Sequence, residues 1–423
     1  MTLSLGIDIG TSGVRTAVLD QEGAIVATAR AAHKTGTSSR PDARDWWDAV
    51  AACIRTQVAS LADIGRTGKE ISRIAVDGTS GSMVLTDDAL SPVGPALMYN
   101  SKGFVEEARR VAAACPEQDH ITLGSNSALS RALRLQAEAE QTPRYLLHQA
   151  DFIAAKLMGR GGRTDANNAL KTGFDPNGAG WPDWIEELVG ADILPTVDPV
   201  GTAWDTLQPA IAADLGLSPR VLVYAGTTDS IAAFLAAAPL EEGVAVTSIG
   251  STLAIKVLSS DRVDLPAMGL YSHRVGPYWL VGGASNTGGA VLAHFFKPEE
   301  LSRLSTQIDP LEPSGLDYYP LLEPGERFPI NDPNLAPRLS PRPASDAEFL
   351  KALFEGIAAV ESASYRLIAA EGGPLPGRVF SAGGASSNEV FTAIRARILG
   401  LPLAQAQERE ACVGAARIPT LFA

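Results

Sequence analysis

Four short runs of glycine, hydroxyl and carboxylate residues carry the chemistry this sequence can offer, and each follows an apolar, strand-like run. The first is Asp8-Ile9-Gly10-Thr11-Ser12-Gly13. Its glycines let the backbone turn with amides converging into a nest for phosphate oxygens. Thr11 and Ser12 add hydroxyl donors, and Asp8 places a carboxylate where a magnesium ion and its waters would bind. The second run, Ser248-Ile249-Gly250-Ser251-Thr252, is a matching turn, and two such nests facing each other would grip one polyphosphate. The third, Gly226-Thr227-Thr228-Asp229, precedes an alanine-rich helix. Asp229 reads there as a helix cap and, beside two phosphate loops, as a general base for an attacking hydroxyl. The fourth is Ser381-Ala382-Gly383-Gly384-Ala385-Ser386-Ser387-Asn388. Its paired glycines permit a flat ring to approach the backbone, and the helix that follows offers amide donors. Each run also has a plainer reading as a hairpin turn, a cap or a strand-to-helix turn. Their repetition favours a site.

The elements that must position these runs alternate between strands and helices. Residues 3–31 predict a three-stranded antiparallel meander, LSLGIDI, VRTAVLD and AIVATARA, separated by glycine turns. From Asp45 the spacing of Trp47, Val50, Ile54, Val58 and Leu61 predicts an amphipathic helix. Strand ISRIAVD then opens into the small-residue loop GTSGS. Helical patterns cover about 103–114, 130–141, 143–158, 181–190 and 205–216. After strand VLVYA and its helix, the opening pattern returns at residue 244 as VAVTSIG, STLAIKVLSS, GLYSHRV and YWLVGGA. A long helix from Asp346, strand RVFSAGG, helix SSNEVFTAIRARIL, strand LPLAQA and a last helix EREACVGAARI complete the chain. A duplicated meander followed by helices predicts two related α/β domains.

Composition narrows the class. At 423 residues two domains are expected, and a 45% apolar share excludes a disordered or fibrous chain. The net charge of −13 argues against a nucleic-acid partner. Three widely spaced cysteines give neither a disulfide framework nor a zinc motif. No apolar run is long enough to span a bilayer, and MTLSLGIDIG lacks the basic start of a secretory signal, so a cytoplasmic protein without a membrane partner is expected.

Taken in order, GIDIGTSG, AVDGTSG, YAGTTDS, SIGSTLAI and SAGGASSN resemble the FGGY carbohydrate kinases of the actin-like ATPase superfamily. RPDARDWWDAV, TDANN, EPGERFP and ACVGAARI add to the resemblance, which runs nearly the whole length. It implies an α/β fold of two RNase H-like domains with a central cleft: residues 1–237 on the sugar side, joined by a final helix at about 405–423, and 238–404 on the nucleotide side. It implies ATP and Mg2+ as cofactors and a small-molecule ketose as substrate, in a monomer or homodimer. By the same resemblance Asp8 serves magnesium, the γ-phosphate and sugar, and Gly10, Thr11 and Ser12 bind phosphate. Asp229 is the base and touches the sugar. Gly250, Ser251 and Thr252 form the second phosphate turn, and Gly383, Gly384, Ala385 and Asn388 form the adenosine loop.

Two departures bear on the sugar. Family xylulose kinases carry a GQMHG-like loop where this chain has Gly78-Thr79-Ser80-Gly81-Ser82. The common W-x-D-x-R contact is here Tyr99-Asn100-Ser101-Lys102-Gly103. Both features, and the short chain, resemble the plant and cyanobacterial D-ribulose kinases. D-ribulose is therefore the expected substrate, held by Ser80, Asp8, Asp229 and the Gly13 backbone. D-xylulose or another polyol, or a non-catalytic sugar sensor, are the alternatives.

Overall fold

A computed structural model describes residues 2–178 and 180–422, and the chain divides into two compact units, Met1–Ala236 with Glu410–Ala423, and Ala237–Arg409.

In the first unit the three-stranded meander forms, as Leu3–Ile9, Gly13–Leu19 and Ile25–Ala32, all antiparallel. Strand Ile71–Gly78 pairs parallel with Leu3–Ile9, and Leu222–Thr228 pairs parallel with Ile71–Gly78; Ala203–Thr206 closes the edge antiparallel. Side chains alternate across a strand, and that parity sorts the faces. Leu3, Leu5, Ile7 and Ile9 share a buried cluster with Trp46, Val50 and Ile54 of the helix Ala43–Asp63. Gly6 faces the other way, against the backbone of the helix Ala411–Leu421: a Cβ there would stand 1.9 Å from the Cys412 carbonyl oxygen. Asp8, two residues on, shares that face.

Several expectations need correction. Trp46 is the fully buried tryptophan of its helix, with Trp47 partly buried against the same cluster, and the helix begins at Ala43 with Asp42 as cap. The segment at 143–158 is not one helix: Tyr145–His148 is a strand paired with Met83–Thr86, and the helix is Gln149–Met158. A short apolar run such as YLLH suits either element, and the partner strand decides. The pattern at 205–216 likewise splits into the edge strand Ala203–Thr206 and a helix opening on Pro209. Met83, Leu85, Val111, Leu129, Leu133 and Ile185 form a separate small core.

The second unit repeats the layout. Tyr271–Val275, Tyr278–Ser285, Leu253–Ser259 and Val244–Ile249 are antiparallel neighbours, and Arg378–Ala382 and Leu403–Gln405 continue the sheet parallel to Val244–Ile249. The 25-residue helix Asp346–Ala370 buries Phe349, Leu353, Phe354 and Ile357 against it.

One glycine sets the path of the strand that ends at Asp229. The register between Leu222–Thr228 and Ile71–Gly78 slips between Tyr224 and Thr227, and within that bulge a Cβ on Gly226 would lie 1.7 Å from the Val76 carbonyl oxygen. Gly226→Ala is expected to cost about 1–3 kcal/mol by forced backbone displacement. Urea unfolding monitored by circular dichroism measures it; a midpoint equal to wild type would show that the strands have room to part.

Candidate active site

The first unit gathers three carboxyl groups at the carboxyl ends of three neighbouring parallel strands, where open α/β sheets bind ligands. Asp8 and Asp77 are register partners on adjacent strands, so their side chains stand side by side. Asp229 opens the helix Asp229–Ala237 after the third strand, and its Oδ1 accepts a 2.6 Å hydrogen bond from the Ser230 amide. It is thus the first helical residue, one step inside the cap position expected. Asp77 is fully enclosed, Asp8 is 5% exposed and Asp229 is half-buried.

Like charges this close cannot all ionise freely. Burial and then the charge of Asp229 push the Asp8 carboxyl up to about 6, with Asp77 and Arg15 opposing. Arg15 Nη1 lies 3.6 Å from Asp8 Oδ2 but is half exposed and shared with Glu410. Burial, then the charges of Asp8 and Asp229, push Asp77 well above the usual carboxylate range. Neither Asp77 oxygen has a hydrogen-bond partner of ordinary geometry among the described residues. No three acidic, histidine or cysteine side chains among the described residues form a ready metal cage. One ionisable carboxylate with acidic neighbours fits magnesium, which is typically held by one or two carboxylates plus phosphate and water.

The turn after Asp8 is tight: the Gly10 amide donates to the Gly13 carbonyl at 2.9 Å, and the Ser12 carbonyl accepts from the His33 amide. His33 Nε2 lies 3.0 Å from the Gly10 carbonyl. A carbonyl can only accept, so Nε2 carries the proton. Thr11 and Ser12 are left at the surface of the turn, half-buried and exposed.

The loop after Asp77 is held from two sides. Gln149 Oε1 accepts from the Thr79 amide (3.0 Å) and hydroxyl (2.7 Å), while Ser82 Oγ accepts from the Tyr99 amide. Arg131 donates to the carbonyls of Gly81, Tyr99 and Asn126. Ser80 keeps its hydroxyl enclosed, with no partner among the described residues.

In the second unit the turn at Gly250 is backed by glycines. The Gly250 amide donates to the Thr252 carbonyl, the Gly289 amide to the Gly250 carbonyl and the Ala290 amide to the Ser251 carbonyl. A Cβ on Gly289 would sit 2.6 Å from the Gly250 oxygen, and one on Gly383 would sit 2.4 Å from the Ile249 oxygen. Gly383, at φ +84°, therefore brings the fourth loop against the second. Together these loops edge a cavity of about 820 Å3, to which Gly250, Ser251, Gly384, Ala385 and Asn388 contribute, with Phe296 among its apolar walls. Thr252 and Gly383 support the loops without lining that cavity. Asn388 caps the helix Glu389–Leu399 through Oδ1 and donates from Nδ2 to Ser305.

Beneath both loops lies a fully buried ion pair. Arg395 meets both oxygens of Glu361 at 2.7 Å and the Ser381 hydroxyl at 2.8 Å, while the Thr247 hydroxyl donates to Glu361. Thr247 and Ser381 are register partners, each just before its loop.

The structure thus brings Asp8, Asp229, Gly10, Thr11, Ser12, Gly13 and Ser80 into one unit, and Gly250 to Thr252 and Gly383 to Asn388 into the other. Reading the sequence missed Asp77, His33, Gln149, Arg131, the Gly288-Gly289 pair and the Arg395–Glu361 pair. Two signals were present: IAVDGT repeats the acid-then-glycine strand ending of LGIDIG, and NTGG stands between a strand and a helix.

Among known proteins, the model of the FGGY family of carbohydrate kinases matches this chain twice: its N-terminal domain over residues 3–236 and its C-terminal domain over 245–419. A Streptomyces coelicolor xylulose kinase is 28% identical over 275 residues; that match spans 62% of this chain but only 55% of the relative. A Bacillus subtilis xylulose kinase is 24% identical over 450 residues, 99% of this chain and 88% of the other. The fold superposes on a Brucella ovis kinase described as a xyloylose kinase, with a TM-score of 0.87 and 22% identity over 99% of this chain and 90% of that one. Plasmodium falciparum glycerol kinase with ADP gives 0.85 and 16%, over 100% and 90%.

Breaking a buried ion pair strands a charge in low dielectric, at a cost of about 3–5 kcal/mol. Glu361→Gln is expected to lose that much in denaturant unfolding, while Asp214→Asn, which removes the exposed partner of Arg55, loses less than about 1 kcal/mol. Equal losses would mean that the buried network holds nothing together.

Proposed function

Because the chain belongs to the FGGY family of carbohydrate kinases, we propose that it transfers the γ-phosphoryl group of ATP to the terminal hydroxyl of a small ketose, D-ribulose foremost. The carrying observation is the graded burial of three adjacent carboxyls: Asp77 enclosed, Asp8 nearly enclosed, Asp229 open enough to meet a substrate hydroxyl. Asp229 takes the proton as the hydroxyl oxygen attacks phosphorus in line; the bond to the ADP oxygen breaks, and ADP leaves with the electron pair. Asp8 is the residue that would hold a magnesium ion, which would supply charge neutralisation on the triphosphate. The second unit receives the nucleotide, its cavity taking the adenosine and its glycine-backed turn the phosphates. The amides of the Gly10 turn stabilise the charge that develops at the transferred group.

Supporting D-ribulose is the Ser80 hydroxyl, enclosed and unpartnered in a loop of small residues. An unpaired buried hydroxyl costs about 1–3 kcal/mol, which a sugar hydroxyl would recover. D-xylulose is the second reading, favoured by the names of the relatives.

Asp229→Asn is expected to lower kcat by about two to four orders of magnitude with little change in either KM. Coupled ADP-release assays measure it, and near-normal turnover in the folded variant would leave Asp229 a structural residue. In the same assay kcat/KM for D-ribulose is expected to exceed that for D-xylulose, with Ser80→Ala narrowing the ratio by about tenfold or more. A preference for D-xylulose, or an unmoved ratio, would refute the D-ribulose assignment while leaving the kinase reading intact.

A further inference from the structure

Arg131 is 2% exposed, yet among the described residues it meets no carboxylate and donates only to backbone carbonyls. Nη1 donates to the Gly81 carbonyl at 2.6 Å, and Nη2 donates to the carbonyls of Tyr99 at 2.8 Å and Asn126 at 3.1 Å. These belong to three separate loops, 78–82, 99–103 and 124–127. Nε has no partner among the described residues, and burial holds the guanidinium down to about 10. Burying a cation without a counter-charge is costly, so the arrangement must secure something a neutral side chain would not. A planar guanidinium holds several acceptors in fixed directions, as an ammonium cannot.

The acceptors say what is secured. Gly81 lies at φ +80°, and a Cβ on it would meet Arg131 Nη1 at 3.2 Å, so the loop is seated directly on the guanidinium. Gln149 and Arg131 together pin Thr79 and Gly81, the residues either side of Ser80, whose own hydroxyl is unpartnered. Tyr99 is pinned twice, its carbonyl by Arg131 and its amide by Ser82 Oγ, while its ring remains 48% exposed. The clamp therefore fixes the backbone that carries an enclosed hydroxyl, without a partner among the described residues, and an exposed tyrosine.

We propose that Arg131 is the positioning residue for sugar selectivity: by fixing the Gly81 and Tyr99 carbonyls it aims Ser80 Oγ at one ketose hydroxyl and so discriminates between epimers. The proposal rests on the ketose-kinase reading. It assigns Arg131 no contact with substrate, ATP or the reacting atoms.

The test is steady-state kinetics of full-length Arg131→Lys and Arg131→Ala with D-ribulose, D-xylulose and ATP. The expected result is a rise of about tenfold or more in KM for the preferred ketose and a collapse of the ketose preference towards unity. KM for ATP stays within about twofold, and millimolar guanidinium partly restores the preference of Arg131→Ala. Arg131→Lys carries the test if the alanine variant does not fold. A folded variant with wild-type ketose KM and preference overturns the proposal, as does one in which the KM values for ATP and ketose rise together. If wild type turns over no ketose or polyol, the kinase reading fails instead. Hydrogen exchange then decides the clamp: faster exchange at 79–82 and 99–103 in Arg131→Lys upholds the positioning role, and unchanged exchange overturns it.

Discussion

Parallel pairing of Leu3–Ile9 with Ile71–Gly78 sets Asp8 opposite Asp77, and the electrostatics of the first unit follow from that register. Two carboxyls on neighbouring strands in an enclosed place oppose each other's ionisation. Burial separates them: Asp77 is fully enclosed and pushed well above the usual carboxylate range, whereas Asp8 has Arg15 within reach. A one-residue slip would turn Asp77 to the opposite face of the sheet, among the apolar side chains that pack on Ala43–Asp63. The bulge at Gly226 then delivers Asp229 to the end of the next strand. Register, burial and one missing Cβ together produce three acids of unequal character.

The second unit solves a different problem with similar parts. Its turn at Gly250 carries no acid, and its stiffness comes from close backbone contact with Gly288, Gly289 and Gly383. Beneath it the Arg395–Glu361 pair ties the strands that carry the two loops through Thr247 and Ser381. A fully buried ion pair is rarely the most stable filling for a core. Here its donors and acceptors are used almost completely, which suits a scaffold whose loops must keep one geometry.

What could be read from the sequence was what is local. Glycine turns, the opening meander and the helix from Asp346 depend on neighbours within a few positions. The acid-then-glycine ending of LGIDIG could be read for the same reason. Residues whose meaning depends on distant pairing could not. Arg131 looks like any helical arginine until three loops converge on it, and YLLH looks helical until Met83–Thr86 lies beside it. The spacing points to Trp47 for the apolar face, and the placement of the sheet buries Trp46 more deeply. Asp77 shared a strand ending with Asp8, but its upward shift depends on complete burial and on a register partner sixty-nine positions away.

The helix Ala411–Leu421 packs on Gly6 and, through Gly414, on the Ala232 carbonyl, so the first unit is completed by a segment made only after the second unit. During synthesis the strand carrying Asp8 emerges early, but the helix that covers its Gly6 face follows only after all of Ala237–Arg409. At about 5–20 residues per second that interval lasts on the order of ten seconds or more. For that time the uncovered face of the sheet, with Ala17 and Leu19 on it, and the neighbouring helix residue Ala236 wait for Cys412, Val413 and Ala416. The second unit, continuous in sequence, can mature on the ribosome while the first cannot. A nascent chain stalled before Glu410 would therefore be a natural client for a chaperone that shields small apolar surfaces.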